Sequence, residues 1–208
     1  MLSIEATITF FAASILLGLS PGPDNLFVMT QSALHGRSAG LVVMLGLCTG
    51  LIGYSLAVAL GVAVIFQTSA VAFSVLKLIG AGYLLVLAVK AFRASAAKIA
   101  GGPGGDASFR KLYGRGIIMN ITNPKVSIFF LAFLPQFADP SRGPLALQLL
   151  LLGGLFILST ILVFGAIATL AGTLGQWLNR SDRVQKNMNK LAGVVFLGLA
   201  LKLIVTER

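Results

Sequence analysis

The chain has 208 residues, of which 57% are hydrophobic and only 11% charged, with a mean hydropathy of +0.94. Soluble globular domains carry roughly 25% charged residues, so this composition excludes that class and makes lipid the solvent. A net charge of +10 would suggest nucleic acid in a soluble protein. Here the basic residues stand at the ends of apolar stretches, as in membrane proteins, and no nucleic-acid partner is expected.

A hydrocarbon layer about 30 Å thick takes about 20 apolar residues per helical crossing. The chain therefore holds six crossings and no separate soluble domain. The apolar stretches run Ile4 to Thr30, Ala39 to Phe66, Val71 to Phe92, Gly116 to Phe137, Leu145 to Trp177 and Lys190 to Val205. Each is read as a helix, because a backbone in lipid must satisfy its own hydrogen bonds. The first stretch carries Glu5, lacks a basic leader and has no small-residue cleavage site, so it is read as a retained span.

That first span contains Ser20-Pro21-Gly22-Pro23-Asp24-Asn25. Each proline removes a backbone donor and clashes with the preceding turn, so the helix should break. Broken backbone at membrane depth is tolerated only where it is buried in protein or lines a wet cavity, so the break predicts a cavity. Asp24 and Asn25 then stand at the mouth of the following half-helix. They either cap it in water or, with Asp24 paired, protonated or hydrated, face a ligand.

His35, in the first link, reads as an interfacial polar residue, with no second histidine to make a metal site. Gly46, Gly50, Gly53 and Gly61 in the second span, with Gly80 and Gly82 in the third, mark close helix packing. They permit a homodimer without demanding one. Cys48 reads as a small buried hydrophobe, and a lone cysteine makes neither an intrachain disulfide nor a dithiol centre. Lys77 lies about two turns inside the third span. It either pairs with Asp24, lines the pathway or snorkels outward.

The segment Arg93 to Arg115 contains Gly101-Gly102-Pro103-Gly104-Gly105 and reads as a flexible cytoplasmic linker. It divides one transporter domain, residues 1–208, into repeats of about 1–92 and 116–208. The fourth span opens on Asn120-Ile-Thr-Asn123-Pro124-Lys125 and leads to Phe129-Phe130 and Pro135-Gln136. Pro124 should break it as Pro21 and Pro23 break the first. Asn120 and Asn123 can share one helical face, and Lys125 either adds a cation to the cavity wall or snorkels to the headgroups. Amide and ammonium donors beside acceptors and a carboxylate suit a zwitterion. Tyr113 and Trp177 read as interface anchors.

Lys77-Leu-Ile-Gly80 with Tyr83-Leu84 recurs in the sixth span as Lys190-Leu-Ala-Gly193 with Phe196-Leu197. Repeats of three spans would be inverted in the membrane, a common plan of secondary transporters. Links one, three and five carry Arg37; Lys90, Arg93, Lys98, Arg110, Lys111 and Arg115; and Arg180, Arg183, Lys186 and Lys190. Links two and four and the tails carry Arg142 and Arg208, with Lys202 nearby. The odd links should therefore be cytoplasmic and both termini outside.

Gly18-Leu-Ser-Pro-Gly-Pro-Asp24, His35-Gly36-Arg37 to Gly40, Gly80-Ala-Gly-Tyr83-Leu84, and Asn120 to Lys125 leading to Phe133-Leu-Pro135-Gln136-Phe137 together resemble the LysE/RhtB family of amino-acid exporters. The resemblance covers nearly the whole chain. It implies an all-α protein of the bacterial inner membrane that exports amino acids or related small metabolites, driven by the proton motive force.

The expected fold is thus six transmembrane helices as two inverted three-helix repeats, with the first and fourth helices broken. The candidate substrate- or ion-binding residues are Ser20, Pro21, Gly22, Pro23, Asp24, Asn25, Lys77, Asn120, Asn123, Pro124 and Lys125. No cofactor is expected. The alternative cargo is an inorganic cation or another small metabolite, but one embedded carboxylate without a His or Cys cluster makes a poor divalent-metal site. A thiol relay needs two cysteines. No paired carboxylates, His-based triad or metal motif supports an enzyme.

Overall fold

The computed structural model describes residues 2–20, 22–62, 70–94, 108–180 and 182–205, and those residues form helices and short links. In chain order they are α1 (Ile4–Leu19), α2 (Pro23–His35), α3 (Arg37–Ala57), α4 (Ala70–Arg93), α5 (Phe109–Thr122), α6 (Pro124–Ile128), α7 (Leu145–Arg180) and α8 (Asp182–Val205). A π-helical turn, Val58–Val62, prolongs α3. Another, Phe129–Phe133, prolongs α6 and passes into a 3₁₀ turn, Leu134–Phe137.

Three stretches among the described residues are long and apolar enough to cross a membrane: Arg37–Gly61, Leu145–Ala171 and Lys186–Val205. Two bent pairs add to them. α1 and α2 meet at 61°, and α5 meets the α6 segment at 51°. α4, with 24 residues, takes the place of the expected third span. The molecule is a polytopic all-α membrane protein whose first and fourth spans are broken.

Several expected boundaries move. α5 begins at Phe109, so Arg110, Lys111 and Arg115 are helical rather than linker. α7 runs three residues past Trp177 to Arg180, and α8 starts at Asp182 rather than Lys190. In each case the helix continues beyond the apolar stretch, because its hydrogen bonds persist where the apolar sequence signal stops. The glycine-rich part of the linker, the end of the second span and the side chain of Trp177 lie outside the description.

Two buried clusters hold the bundle together. The larger joins Phe10 and Leu17 of α1, Leu51 of α3, Leu84 of α4, Phe129, Phe130 and Phe133 after α6, and Leu149, Leu152 and Phe156 of α7. The smaller joins Val28, Val43, Leu47, Leu112 and Phe164. The outward faces remain apolar, with Leu45 and Ile52 on α3 and Leu158 and Leu162 on α7 exposed, as lipid contact requires. Gly36, at φ +84°, makes the turn from α2 into α3 in backbone space that a side chain would strain.

The direction of each contact is legible in its residues. On α3, Ser55 meets Gly153 and Met44 meets Gly165 of α7, so these helices run antiparallel. α4 and α8 also run antiparallel, with Gly80 against Leu203 and Phe92 against Gly193. α3 and α5 run parallel, with Gly46 against Tyr113 and Gly116, and Gly50 against Asn120. All three directions agree with alternating spans.

The α3–α5 seam is backbone on backbone: a Cβ at Gly116 would strike the Val43 carbonyl, and one at Gly46 the Tyr113 carbonyl. Gly116→Val should therefore part the helices. We expect a destabilisation at the upper end of the roughly 1–3 kcal/mol seen for overpacked cores, read as a lower midpoint in thermal unfolding of the purified protein. A midpoint equal to that of the native protein would refute this account of the seam. Tyr113, expected as a headgroup anchor, is pinned to this seam by a 2.7 Å hydrogen bond to Thr49.

Candidate substrate site at the two helix breaks

Each break frees backbone groups, and the residues that satisfy them build the site. Pro21 has no N–H to give the Leu17 carbonyl, and the bend strips Gly18 and Ser20 of their helical donors. Lys125 Nζ donates to the Leu17 and Ser20 carbonyls at 3.3 and 3.2 Å, and Asn25 Nδ2 donates to the Gly18 carbonyl at 2.6 Å. A cation from the second break thus closes the C-terminus of α1, where the helix dipole favours positive charge.

The second break is closed in the same manner. Asn123, held extended by the proline that follows it (φ −78°, ψ 107°), accepts a hydrogen bond from the Lys125 amide through Oδ1 at 3.0 Å. That amide would otherwise serve the Ile121 carbonyl, which instead accepts from the Tyr54 hydroxyl at 2.7 Å. Tyr54 also touches Ser127 Oγ at 2.5 Å, and Ser127 Oγ donates to the Asn123 carbonyl at 3.0 Å. The α2 N-terminus lacks such a cap, since Gly22 has no side chain to supply one.

The breaks meet each other through Asn123 and Asp24: Asn123 Nδ2 donates to Asp24 Oδ2 at 2.5 Å. Ser20, Asp24, Asn25, Asn120, Asn123 and Lys125 are all buried. Lys125 is the positive charge that acts on Asp24. Four buried side-chain oxygens at the breaks have no hydrogen-bond partner: Ser20 Oγ, Asp24 Oδ1, Asn25 Oδ1 and Asn120 Oδ1. Three of them belong to a carboxylate or an amide and can only accept. In a native fold such groups are usually satisfied, by protein or by ordered water.

Two cavities flank the breaks. A small one of about 20 Å³, bordered by Asp24, Asn120, Lys125, Phe156, Thr160 and Phe164, has room for about one water. A wider one of about 360 Å³ lies on the other side of Lys125 and Asn123, between α4 and α8, and reaches Tyr83, Lys90 and Asn189.

Of the expected site residues, Ser20, Gly22, Pro23, Asp24, Asn25, Asn120, Asn123, Pro124 and Lys125 come together here, and Pro21 lies outside the described residues. Lys77 is half-buried on α4 and borders neither cavity; the counter-charge to Asp24 is Lys125. Lys125 is turned inward onto α1 carbonyls rather than out to the headgroups. Tyr54, Phe156, Thr160 and Asn189 carry no sequence signal for a role here, and Tyr83 carries one only as part of the repeated Lys77–Leu84 segment. They are ordinary helix residues brought to the breaks by packing alone. Among the described residues no group of three His, Cys, Asp or Glu side chains could hold a metal ion.

These features define a membrane protein with two discontinuous helices whose breaks meet in the interior, the construction of transporter binding sites. The family described as LysE type translocator matches residues 15–207, and the chain belongs to that family. It is 34% identical over 196 residues, 94% of each chain, to the homoserine/homoserine lactone efflux proteins of Salmonella typhi and Salmonella typhimurium. It is 31% identical over 203 residues to an uncharacterized membrane protein of Vibrio cholerae, covering 97% of this chain and 98% of that one. No solved structure matches.

Proposed function

We propose that this chain is a secondary transporter of the bacterial inner membrane that exports amino acids or related small metabolites, coupled to the proton motive force. The observation that carries the reading is the set of bare acceptors, Asp24 Oδ1, Asn25 Oδ1 and Asn120 Oδ1, beside one ammonium group, Lys125. A substrate ammonium supplies the missing donors. Its carboxylate is met by Lys125 and by the uncapped N-terminus of α2, where the dipole favours an anion. The relatives named for homoserine and homoserine lactone efflux point to the same class of small amino compound.

Orientation supports export. The 360 Å³ cavity reaches Lys90 and Asn189, at the end of the bundle that bears the basic links. The positive-inside rule makes that end cytoplasmic and both chain termini external. Toward the other side the breaks are covered by packed phenylalanines. This is the inward-facing arrangement of an alternating-access carrier. The antiparallel α3–α7 and α4–α8 pairs support a division into inverted repeats of about 1–92 and 116–208 joined by a cytoplasmic linker.

In the cycle we envisage, substrate arriving from the cytoplasmic cavity displaces Lys125 from the α1 carbonyls and takes its place beside Asp24. The 20 Å³ cavity cannot hold an amino acid as it stands, so the half-helices must separate for substrate to enter. After release, Asp24 exchanges protons with the outer side and resets the carrier. No covalent step is involved.

The test is efflux from cells preloaded with labelled homoserine and a mixture of labelled amino acids, compared with cells carrying an empty vector. Selective loss of one or a few compounds, abolished by a protonophore, is expected. Equal retention of every compound in both strains would overturn the reading in favour of another cargo, and loss insensitive to the protonophore would overturn the coupling.

A further inference from the structure

A third cavity lies at the opposite end of the bundle. It measures about 310 Å³ and is bordered by Glu5 of α1, Gln136, Asp139 and Arg142 of the link after α6, Gln148 of α7 and Lys202 of α8. Carboxylates and cations line one cavity of a size that admits a small amino compound. Nothing in the candidate site above uses any of them.

The cavity is built rather than incidental. Gln148, buried at 2% exposure, clasps the link from both sides. Its Nε2 donates to the carbonyls of Asp139 and Gly143 at 2.8 and 3.1 Å, and its Oε1 accepts from the Asp139 amide at 3.0 Å. Asp139 is committed to the link. Its carboxylate takes hydrogen bonds from the Ser141 hydroxyl and amide and pairs with Arg142 at 3.2 Å, and those contacts, the Ser141 hydroxyl's first, hold it below the usual carboxylate range. Glu5 is the other carboxylate of the cavity, and the charge it acts on is Lys202, so the two stand as a carboxylate and an ammonium side by side. Lys202 Nζ rests 4.4 Å from the centre of the Phe137 ring, where the face of the ring attracts a cation.

Phe137 is also the outermost rung of a ladder of rings that leads inward. Its centroid is 5.0 Å from Phe133, Phe133 is 4.8 Å from Phe129, and Phe129 is 5.1 Å from Phe156. Phe156 borders the small cavity beside Asp24. Phe10 braces the ladder from α1, 5.2 Å from Phe137 and 5.7 Å from Phe129. Three of the four rungs stand on the π turn and the 3₁₀ turn, where hydrogen bonding departs from the α-helical pattern and rearranges at least cost. The Asp24 site and the outer cavity are therefore the two ends of one ring-filled path.

We propose that the outer cavity is a second, external binding site for zwitterionic amino compounds, onto which the carrier releases its cargo. Lys202 holds the carboxylate, and Glu5 holds the ammonium. The proposal rests on the export reading above and adds to it a site with its own residues. A molecule leaving between the rings meets a carboxylate on α1 and an ammonium on α8, which hold it off the path while the ladder closes.

Equilibrium binding of labelled homoserine and labelled neutral amino acids to the purified full-length protein, taken into the millimolar range, separates the two readings. The native protein should show two classes of site. Asp24→Asn should remove one. Adding Lys202→Met or Glu5→Gln to that variant should weaken the other by about tenfold or more, the scale of a lost charge contact. Two charge variants are used so that a folding defect in one does not decide the matter. A native protein with one class of site, removed by Asp24→Asn, would overturn the outer site and leave the export reading standing. A native protein that binds none of the compounds would overturn both.

Discussion

Asp24→Asn should reduce efflux by about 100-fold or more, the equivalent of roughly 2.8 kcal/mol, within the range for removing one partner of a buried charge pair. The substitution preserves shape, and the Asn123 amide keeps an oxygen to which it can donate. What disappears is the negative charge that faces Lys125 and, in our reading, the substrate ammonium. Protein abundance in the membrane should be unchanged. Any residual movement should no longer follow the pH gradient, since an amide takes up no proton. Efflux at the native rate with intact proton coupling would remove Asp24 from the mechanism. Loss of the protein from the membrane would make its role structural instead.

Lys125→Met should be the most damaging substitution for the fold. It strips the Leu17 and Ser20 carbonyls of their donor and leaves the Asp24 carboxylate buried without its counter-charge. Breaking a buried pair from one side costs about 3–5 kcal/mol, and thermal unfolding of the purified protein should show a marked loss. The double variant with Asp24→Asn tests the cause. If the isolated charge is the main damage, the double variant should recover much of the stability of Lys125→Met while transport stays absent. Strictly additive losses would show that Lys125 acts through the α1 carbonyls alone, with no coupling to Asp24.

The two variants are predicted to differ because the two groups sit differently. Asp24 has one satisfied oxygen and one bare one, a carboxylate held ready for a further partner. Lys125 donates to two carbonyls and acts on the Asp24 carboxylate through its charge. In our reading such a lysine stands where a substrate ammonium would bind. It closes the end of α1, and it would have to move when cargo arrives. A tethered cation in that place also disfavours occupation by an inorganic ion, which would compete with a lysine held there by its own chain.

The breaks were legible in the sequence because proline leaves the backbone no choice. Pro23 and Pro124 each lack the donor that a continuous helix needs, and α2 and α6 begin at those residues. Membrane character was equally plain, since stretches of about 20 apolar residues have few other stable forms. Helix ends were less so. The first turns of α5 and α8 are polar and extend past the hydrocarbon, and hydropathy carries no mark of where a hydrogen-bonded ladder stops.

Residue type and spacing alone thus determined the class of protein, the two broken spans and the roster of polar residues at the breaks, because backbone hydrogen bonding and burial in lipid act locally along the chain. Only the tertiary structure decided which of those residues meet. Asp24 and Asn123 are 99 positions apart and share a hydrogen bond, and Lys125 rather than Lys77 supplies the counter-charge. Phe156 and Thr160 join the cavity wall with nothing in their sequence surroundings to announce it. Such contacts depend on how α1, α4, α6 and α7 pack against one another, and packing is set by the fit of whole helix faces, through glycine seams such as Gly46–Gly116, rather than by any one segment.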